Sequence, residues 1–194
     1  MSPTDADRVV LVDASDRELG AMEKLPAHQG GGHLHRAFSV LVFDPEGRTL
    51  LQRRAEGKYH AAGQWANTCC SHPRPGETVE QAAHRRLQEE FGFDCPLREA
   101  FAFLYEAPVG GGLTEREFDH VLVGRFAGTP RPDPREVAEY RWVRPEELLS
   151  SVRLDAPDYA PWFKIILVHL ADAGRRAAVE GALAHGTSPA ARTG

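Results

Sequence analysis

The sequence predicts a single α+β sandwich, and three observations carry that prediction. Short β-branched and aromatic runs recur along most of the chain, and between and after them lie segments with helical spacing and helical punctuation. Hydrophobic residues make up 42% of the 194 positions and charged residues 26%, enough apolar material for one ordinary domain. No repeat or low-complexity linker divides the chain. Residues 1–185 are therefore read as one domain, and residues 186–194, rich in small residues, as a disordered tail.

Taken in order, "RVVLVD" (8–13) and "RAFSVLVFD" (36–44) read as strands, the second apolar on both faces as a central strand requires. Asp44-Pro45-Glu46-Gly47 is a turn, and "RTLLQRR" (48–54) returns as the partner strand. "QWANTCC" (64–70) reads as one further short strand. Thr78 with Gln81 three residues on forms a capping box, and Gly92 stops the helix that follows. Within it Val79, Ala83 and Leu87 make one apolar stripe toward the core. "LREAFAFLYEA" (97–107) and "EREFDHVLVGRF" (115–126) pair across the Gly110–Gly112 loop, and "EYRWV" (139–143) is a last strand. Pro145 opens a short helix, and one long helical stretch starts near Pro161.

A net charge of -5 argues against a general nucleic-acid binder, which neutralises phosphates with excess Lys and Arg. It leaves room for a local basic pocket that takes a small anion. No run approaches the roughly 18 apolar residues of a membrane span. The acidic start "MSPTDADRVVLV" is no secretory signal. Three cysteines in a chain this long make no disulfide framework, so the expected setting is reducing and cytoplasmic, with free thiols. A monomer is the default expectation.

Four groups of residues bear chemistry. In "WANTCCSHPRPGE" strand alternation sets Thr68, Cys70 and His72 on one face and Cys69 and Ser71 on the other. A metal site, a nucleophile or two inert buried thiols would each fit, and the last is the commoner fate of a cytosolic cysteine. Glu115 and Glu117 share a strand face, where two carboxylates repel unless a cation or a shared proton compensates. "AHQGGGHLHRAF" supplies His28, His33 and His35, nitrogen donors for a divalent ion such as Zn, Mn or Mg. Arg86 and Glu90 are four apart on the helix: either a surface pair, or an acidic metal ligand beside an arginine for phosphate oxygens. Lys24, Arg54 and Lys58 add positive charge upstream.

Residues 71–93 resemble a Nudix box, G-x5-E-x7-R-E-U-x-E-E-x-G-U, with Glu77 and "RRLQEEFGF" (85–93) in register. Ser71 replaces its first glycine and Arg86 the glutamate after the arginine. The second change puts a cation where a Nudix hydrolase gathers carboxylates around metals, and should cripple that cluster. Together with "EKLPAH", "LHRAFSVLVF", "LLQRRAEGKYHAAGQWANTCCSHPRPGE", "TEREFDH" and "YAPWF", the pattern resembles the type 1 isopentenyl-diphosphate delta-isomerases over roughly residues 8–168.

That resemblance implies a Nudix-like α/β/α sandwich with a mixed central sheet and a Nudix helix. It implies a small-molecule substrate, isopentenyl or dimethylallyl diphosphate, in isoprenoid biosynthesis. Cys70 and Glu117 match the catalytic pair, with Tyr105 near the acid. His28, His35, His72, Glu115 and Glu117 match the ligands of one divalent metal (Mn2+, Mg2+ or Zn2+). Glu90 matches the carboxylate for a Mg2+ carried by the diphosphate. Lys24, Arg54, Lys58 and Arg86 match the diphosphate binders, and Trp162 the aromatic facing the reacting carbon. A pyrophosphohydrolase and a zinc-stabilised binding module are the alternatives; Arg86 speaks against the first and the missing fourfold Cys/His set against the second.

Overall fold

The computed structural model describes residues 7–58 and 60–185, so the expected tail at 186–194 lies outside the described residues. The strands are Arg8–Val12 (β1), Glu18–Glu23 (β2), His35–Phe43 (β3), Thr49–Arg54 (β4), Trp65–Ala66 (β5), Cys69–Ser71 (β6), Leu97–Gly110 (β7), Leu113–Arg125 (β8) and Val137–Val143 (β9). The helices are Lys24–His28 (α1), Val79–Phe91 (α2), Pro145–Ser151 (α3), Pro161–Ala171 (α4) and Ala173–His185 (α5). No helix among the described residues is long and apolar enough to cross a membrane.

β3 organises the mixed sheet. One of its edges runs parallel to β8 from His35↔Glu117 to Phe43↔Arg125. Its other edge meets three antiparallel strands in turn: β1 at His35, β6 at Phe38 to Val40, and β4 at Phe43. Alternation then divides its apolar side chains. Phe38, Val40 and Val42 pack with Leu87 and Phe91 of α2, whereas Leu41 and Phe43 pack with Leu148 of α3, Phe163 and Ile166 of α4 and Val179 of α5. This is why β3 is apolar on both faces, and it makes the expected α/β/α sandwich.

Between β6 and β4 no backbone stands opposite Val42. Thr68 fills the gap: its hydroxyl accepts the Val42 N–H at 2.9 Å and donates to the Leu50 carbonyl at 2.7 Å. Buried backbone groups demand partners, and here one side chain supplies both. Thr68→Val should therefore destabilise the chain by about 1–3 kcal/mol, the cost of orphaning a buried donor. Urea denaturation checks this; an unchanged midpoint would refute it. The same gap corrects the single strand expected over 64–70, which is instead β5 and β6 with Asn67 and Thr68 turned between the strands.

α2 has the caps its sequence announces. Thr78 and Gln81 form the reciprocal box, and Gly92 ends the helix at φ 66 with Arg131 packed so close that a Cβ would meet its carbonyl oxygen at 3.0 Å. The long helix expected from Pro161 breaks at Asp172, whose carboxylate accepts the Arg175 N–H at 3.0 Å and so starts α5. β2 and α1 are additional elements, and α1 carries Lys24 and His28.

Candidate active site

The parallel register of β3 with β8, and the antiparallel register of β8 with β7, set His35, Glu117 and Tyr105 side by side across three strands. Residues in one row of a sheet face share a side, so the three side chains converge. His35 Nε2 is 3.3 Å from Glu117 Oε1, and the Tyr105 hydroxyl is 2.6 Å from Glu117 Oε2. Tyr105 also lies 2.9 Å from Glu115 Oε2, one row on. The two glutamates, buried together, pull apart: burial and the Glu117 charge push Glu115 up, whereas His35 and His72 hold Glu117 well below the usual carboxylate range against the effect of burial.

His72, just beyond β6, brings Nε2 to 3.0 Å from Glu117 Oε1 and 3.1 Å from His35 Nε2. His28, the last residue of α1, completes a group of four whose donor atoms all lie within 4.8 Å of one another. The carbonyls of Lys24 and His33 each sit 2.7 Å from Nδ1 of His28 and His35, so each ring has a backbone acceptor at Nδ1 and turns Nε2 toward the cluster. Burial pushes His72 down to about 3 and lowers His28 as well, so these imidazoles are neutral. Neutral nitrogens and a carboxylate closing on one point fit a divalent cation. Glu115 stands outside this group of four; its Oε1 lies 3.0 Å from His60 Nε2. His33 contributes its carbonyl rather than its ring to the cluster's support.

The group opens on a cavity of about 80 Å³. Cys70, Ser39 and Trp162 line it, and Lys24, Arg54, Lys58 and Arg86 reach it from α1, β4, the loop after β4 and α2. Burial lowers Lys24 to about 8, and crowding by Lys58, Arg54 and Arg86 pushes the same way. Cations forced together lower one another's pKa, and a polyanion relieves that repulsion. Buried Arg54 keeps a donor, Nε, with no partner among the described residues. Outward lies a wider vestibule of about 540 Å³ that shares Lys24, Lys58 and Arg86 and adds Arg8 and Arg74. The site is thus amphiphilic: a small interior carrying Cys70 and Trp162, with a cationic mouth.

Trp162, at the start of α4, donates its indole N–H to Asn67 Oδ1 at 3.2 Å, and the same Asn67 amide donates to the Cys69 and Val40 carbonyls. One side chain in the strand gap therefore fixes both the aromatic wall and the backbone beside Cys70. Cys70 stands opposite Ser39 of β3 and Cys69 opposite Val40, so the thiols face opposite layers. Cys69 is fully buried against α2, while Cys70 lines the cavity. Burial pushes the Cys70 thiol up to about 12, with Arg54 acting against it. Strand alternation predicts this split, but it does not extend to Thr68, which bonds backbone between strands, or to Ser71, which also reaches the cavity.

On α2 the Arg86–Glu90 pair joins a half-buried arginine to a buried glutamate, with Arg86 Nη2 2.5 Å from Glu90 Oε1. Glu90 also accepts from Gln52 Nε2 at 2.9 Å. Arg85 clamps Glu77 through two bonds of 2.7 Å, and Arg86 holds Glu89 at 2.6 Å. Each carboxylate of the box is therefore occupied by a guanidinium. Sequence reasoning missed Glu136, which accepts from both Lys58 and Arg86, and Asp119, buried beside Glu117 and bonded by the Ser39 hydroxyl at 2.9 Å. It also missed His60, in the loop after β4. Asp119 alone had a signal, two residues beyond Glu117 on the same strand face.

A NUDIX domain family model matches residues 33–164. Isopentenyl-diphosphate Delta-isomerase 2 of Aromatoleum aromaticum is 50% identical over 161 residues, 83% of this chain and 85% of that protein. Isopentenyl-diphosphate Delta-isomerase of Nocardia farcinica is 49% identical over 169 residues, 87% of this chain and 96% of that one. Among solved structures, the Deinococcus radiodurans protein DR0079 superposes with a TM-score of 0.69 at 20% identity, over 84% of this chain and 98% of its own, a likeness of fold. With about half of the aligned residues identical over 85% and 96% of these two relatives, the chain belongs to the isopentenyl-diphosphate Delta-isomerase family within the Nudix superfamily.

Proposed function

We propose that this chain interconverts isopentenyl and dimethylallyl diphosphate by adding a proton at one carbon and removing one two carbons away. The observation that carries this reading is one cavity with a cationic mouth and two proton-bearing groups held from opposite edges of β3. Cys70 comes from β6 on one edge and Glu117 from β8 on the other. Protonating the terminal methylene of isopentenyl diphosphate leaves a tertiary carbocation; loss of a proton from the carbon nearer the diphosphate gives the allylic product.

In this reading Lys24, Arg54, Lys58 and Arg86 grip the diphosphate, and the five-carbon chain enters the cavity beside Trp162. Cys70 and Glu117 face the chain from opposite edges of β3. Glu117, with Tyr105 at its second oxygen, delivers the proton and Cys70 across the cavity takes the other; the roles exchange in the reverse direction. The Trp162 face stabilises the cation by ~0.5–2 kcal/mol without offering a lone pair that would trap it. Buried walls keep out the water that would quench it.

His28, His35, His72 and Glu117, with Glu115 beside them, would hold a divalent ion, Mn2+, Mg2+ or Zn2+. Bound there, such an ion would supply positive charge that fixes the ionisation of Glu117. Glu90, behind Arg86, would serve a Mg2+ that arrives with the diphosphate. Product analysis with isopentenyl diphosphate tests the reading: dimethylallyl diphosphate should form, turnover should stop after exhaustive chelation, and divalent metal should restore it. Release of phosphate from nucleoside diphosphate derivatives with no allylic product would instead favour a hydrolase. Activity untouched by complete metal removal would sink the metal site.

A further inference from the structure

We propose that His60 is a positioning residue that holds Glu115 so that the Tyr105 hydroxyl is free to serve Glu117. His60 belongs to the loop between β4 and β5, yet its side chain is only 7% exposed and forms part of the cavity wall. Loops ordinarily keep polar side chains in water, so a buried loop imidazole calls for a partner. That partner is Glu115, whose Oε1 lies 3.0 Å from His60 Nε2.

The consequence follows from counting hydrogens. The Tyr105 hydroxyl stands 2.9 Å from Glu115 and 2.6 Å from Glu117, but it has one hydrogen and donates to one carboxylate at a time. Whichever glutamate it leaves needs another hydrogen-bond partner, because a buried carboxyl oxygen without one is costly. His60 Nε2, 3.0 Å from Glu115 Oε1, is placed to be that partner. Tyr105 can then remain on Glu117, the shorter of its two contacts.

The ring is fixed from two sides. It meets Trp162 edge-on, with centroids 5.6 Å apart at 67°, and the His60 carbonyl accepts from Arg54 Nη2 at 3.2 Å. One residue thereby ties an arginine of the cationic mouth, the aromatic wall and the carboxylate pair together.

The activity readout rests on the isomerase reading, so the test includes one that does not. His60→Leu removes that partner, whereas His60→Gln can place an amide N–H where Nε2 stood. Both variants are compared with the parent in isomerisation kcat and KM, in Mn2+ affinity of the metal-stripped chain by calorimetry, and in melting temperature. Leu should lower kcat and Mn2+ affinity by about 10–100-fold, the range found when a group supporting metal ligands is lost, with KM little changed. Gln should recover most of both. A Leu variant matching the parent in both readouts, or a folded Gln variant no better than Leu, would overturn the proposal. Should the parent fail to turn over isopentenyl diphosphate, the isomerase reading falls and the Mn2+ comparison still decides the role of His60.

Discussion

Cys70→Ala is expected to cut isomerisation by about 10²–10⁴-fold, the usual contribution of a positioned acid or base, while Cys69→Ala keeps most of it. The two thiols are adjacent in sequence and equal in chemistry, so their environments must account for any difference. Cys70 opens on the cavity opposite Ser39, within the field of Arg54 and the glutamate pair. Cys69 is sealed against α2 among Val40, Ala83 and Leu87, where a substrate has no access. Truncating it should cost some stability through lost packing and little rate. Rates for both variants, read beside their denaturation midpoints, separate the effects. Equal losses, or the reverse order, would show that the reacting thiol has been misassigned.

Glu117→Gln is expected to be nearly as severe, with about 10²–10⁴-fold lower kcat and weaker divalent-metal binding. Its two oxygens do different work. Oε1 meets His35 and His72, and Oε2 meets Tyr105. An amide keeps the shape, but its NH2 must face either the histidine nitrogens or the tyrosine, and it neither carries charge nor accepts a proton. Glu115→Gln should do less, since Glu115 stands outside the four-residue cluster. Metal affinity by calorimetry and single-turnover rates would check the order; a Glu115 variant worse than Glu117 in both would invert the assignment.

What was legible in the sequence was whatever local periodicity controls. Two-residue alternation separated Cys69 from Cys70 and put Glu115 with Glu117, and helical spacing paired Arg86 with Glu90. Punctuation marked both ends of α2. Long-range register was not legible. The row of His35, Glu117 and Tyr105 depends on a parallel pairing between strands about eighty residues apart, which no local pattern announces. The family resemblance supplied that convergence; the residues alone did not.

The elements missed fail for identifiable reasons. β2, "ELGAME", is half-exposed and lacks alternation, and α1 is five residues with a proline inside. The break at Asp172 was signalled only by a capping aspartate within a helical run. Thr68 shows how a strand pattern can mislead where strands separate and a side chain replaces the backbone ladder. His60 had no pattern at all: a lone histidine in a loop acquires its role only from the strands around it.

The central claim is that two groups on opposite edges of β3 exchange protons with the substrate. It is tested most directly by equilibrating the chain in heavy water, adding isopentenyl diphosphate and following the products by NMR. The solvent-exchanged acid of the pair would then deliver a deuteron, so the dimethylallyl diphosphate formed should carry deuterium in the methyl group made from the terminal methylene. Allylic product that forms at full rate with no solvent deuterium in that methyl group would contradict the account.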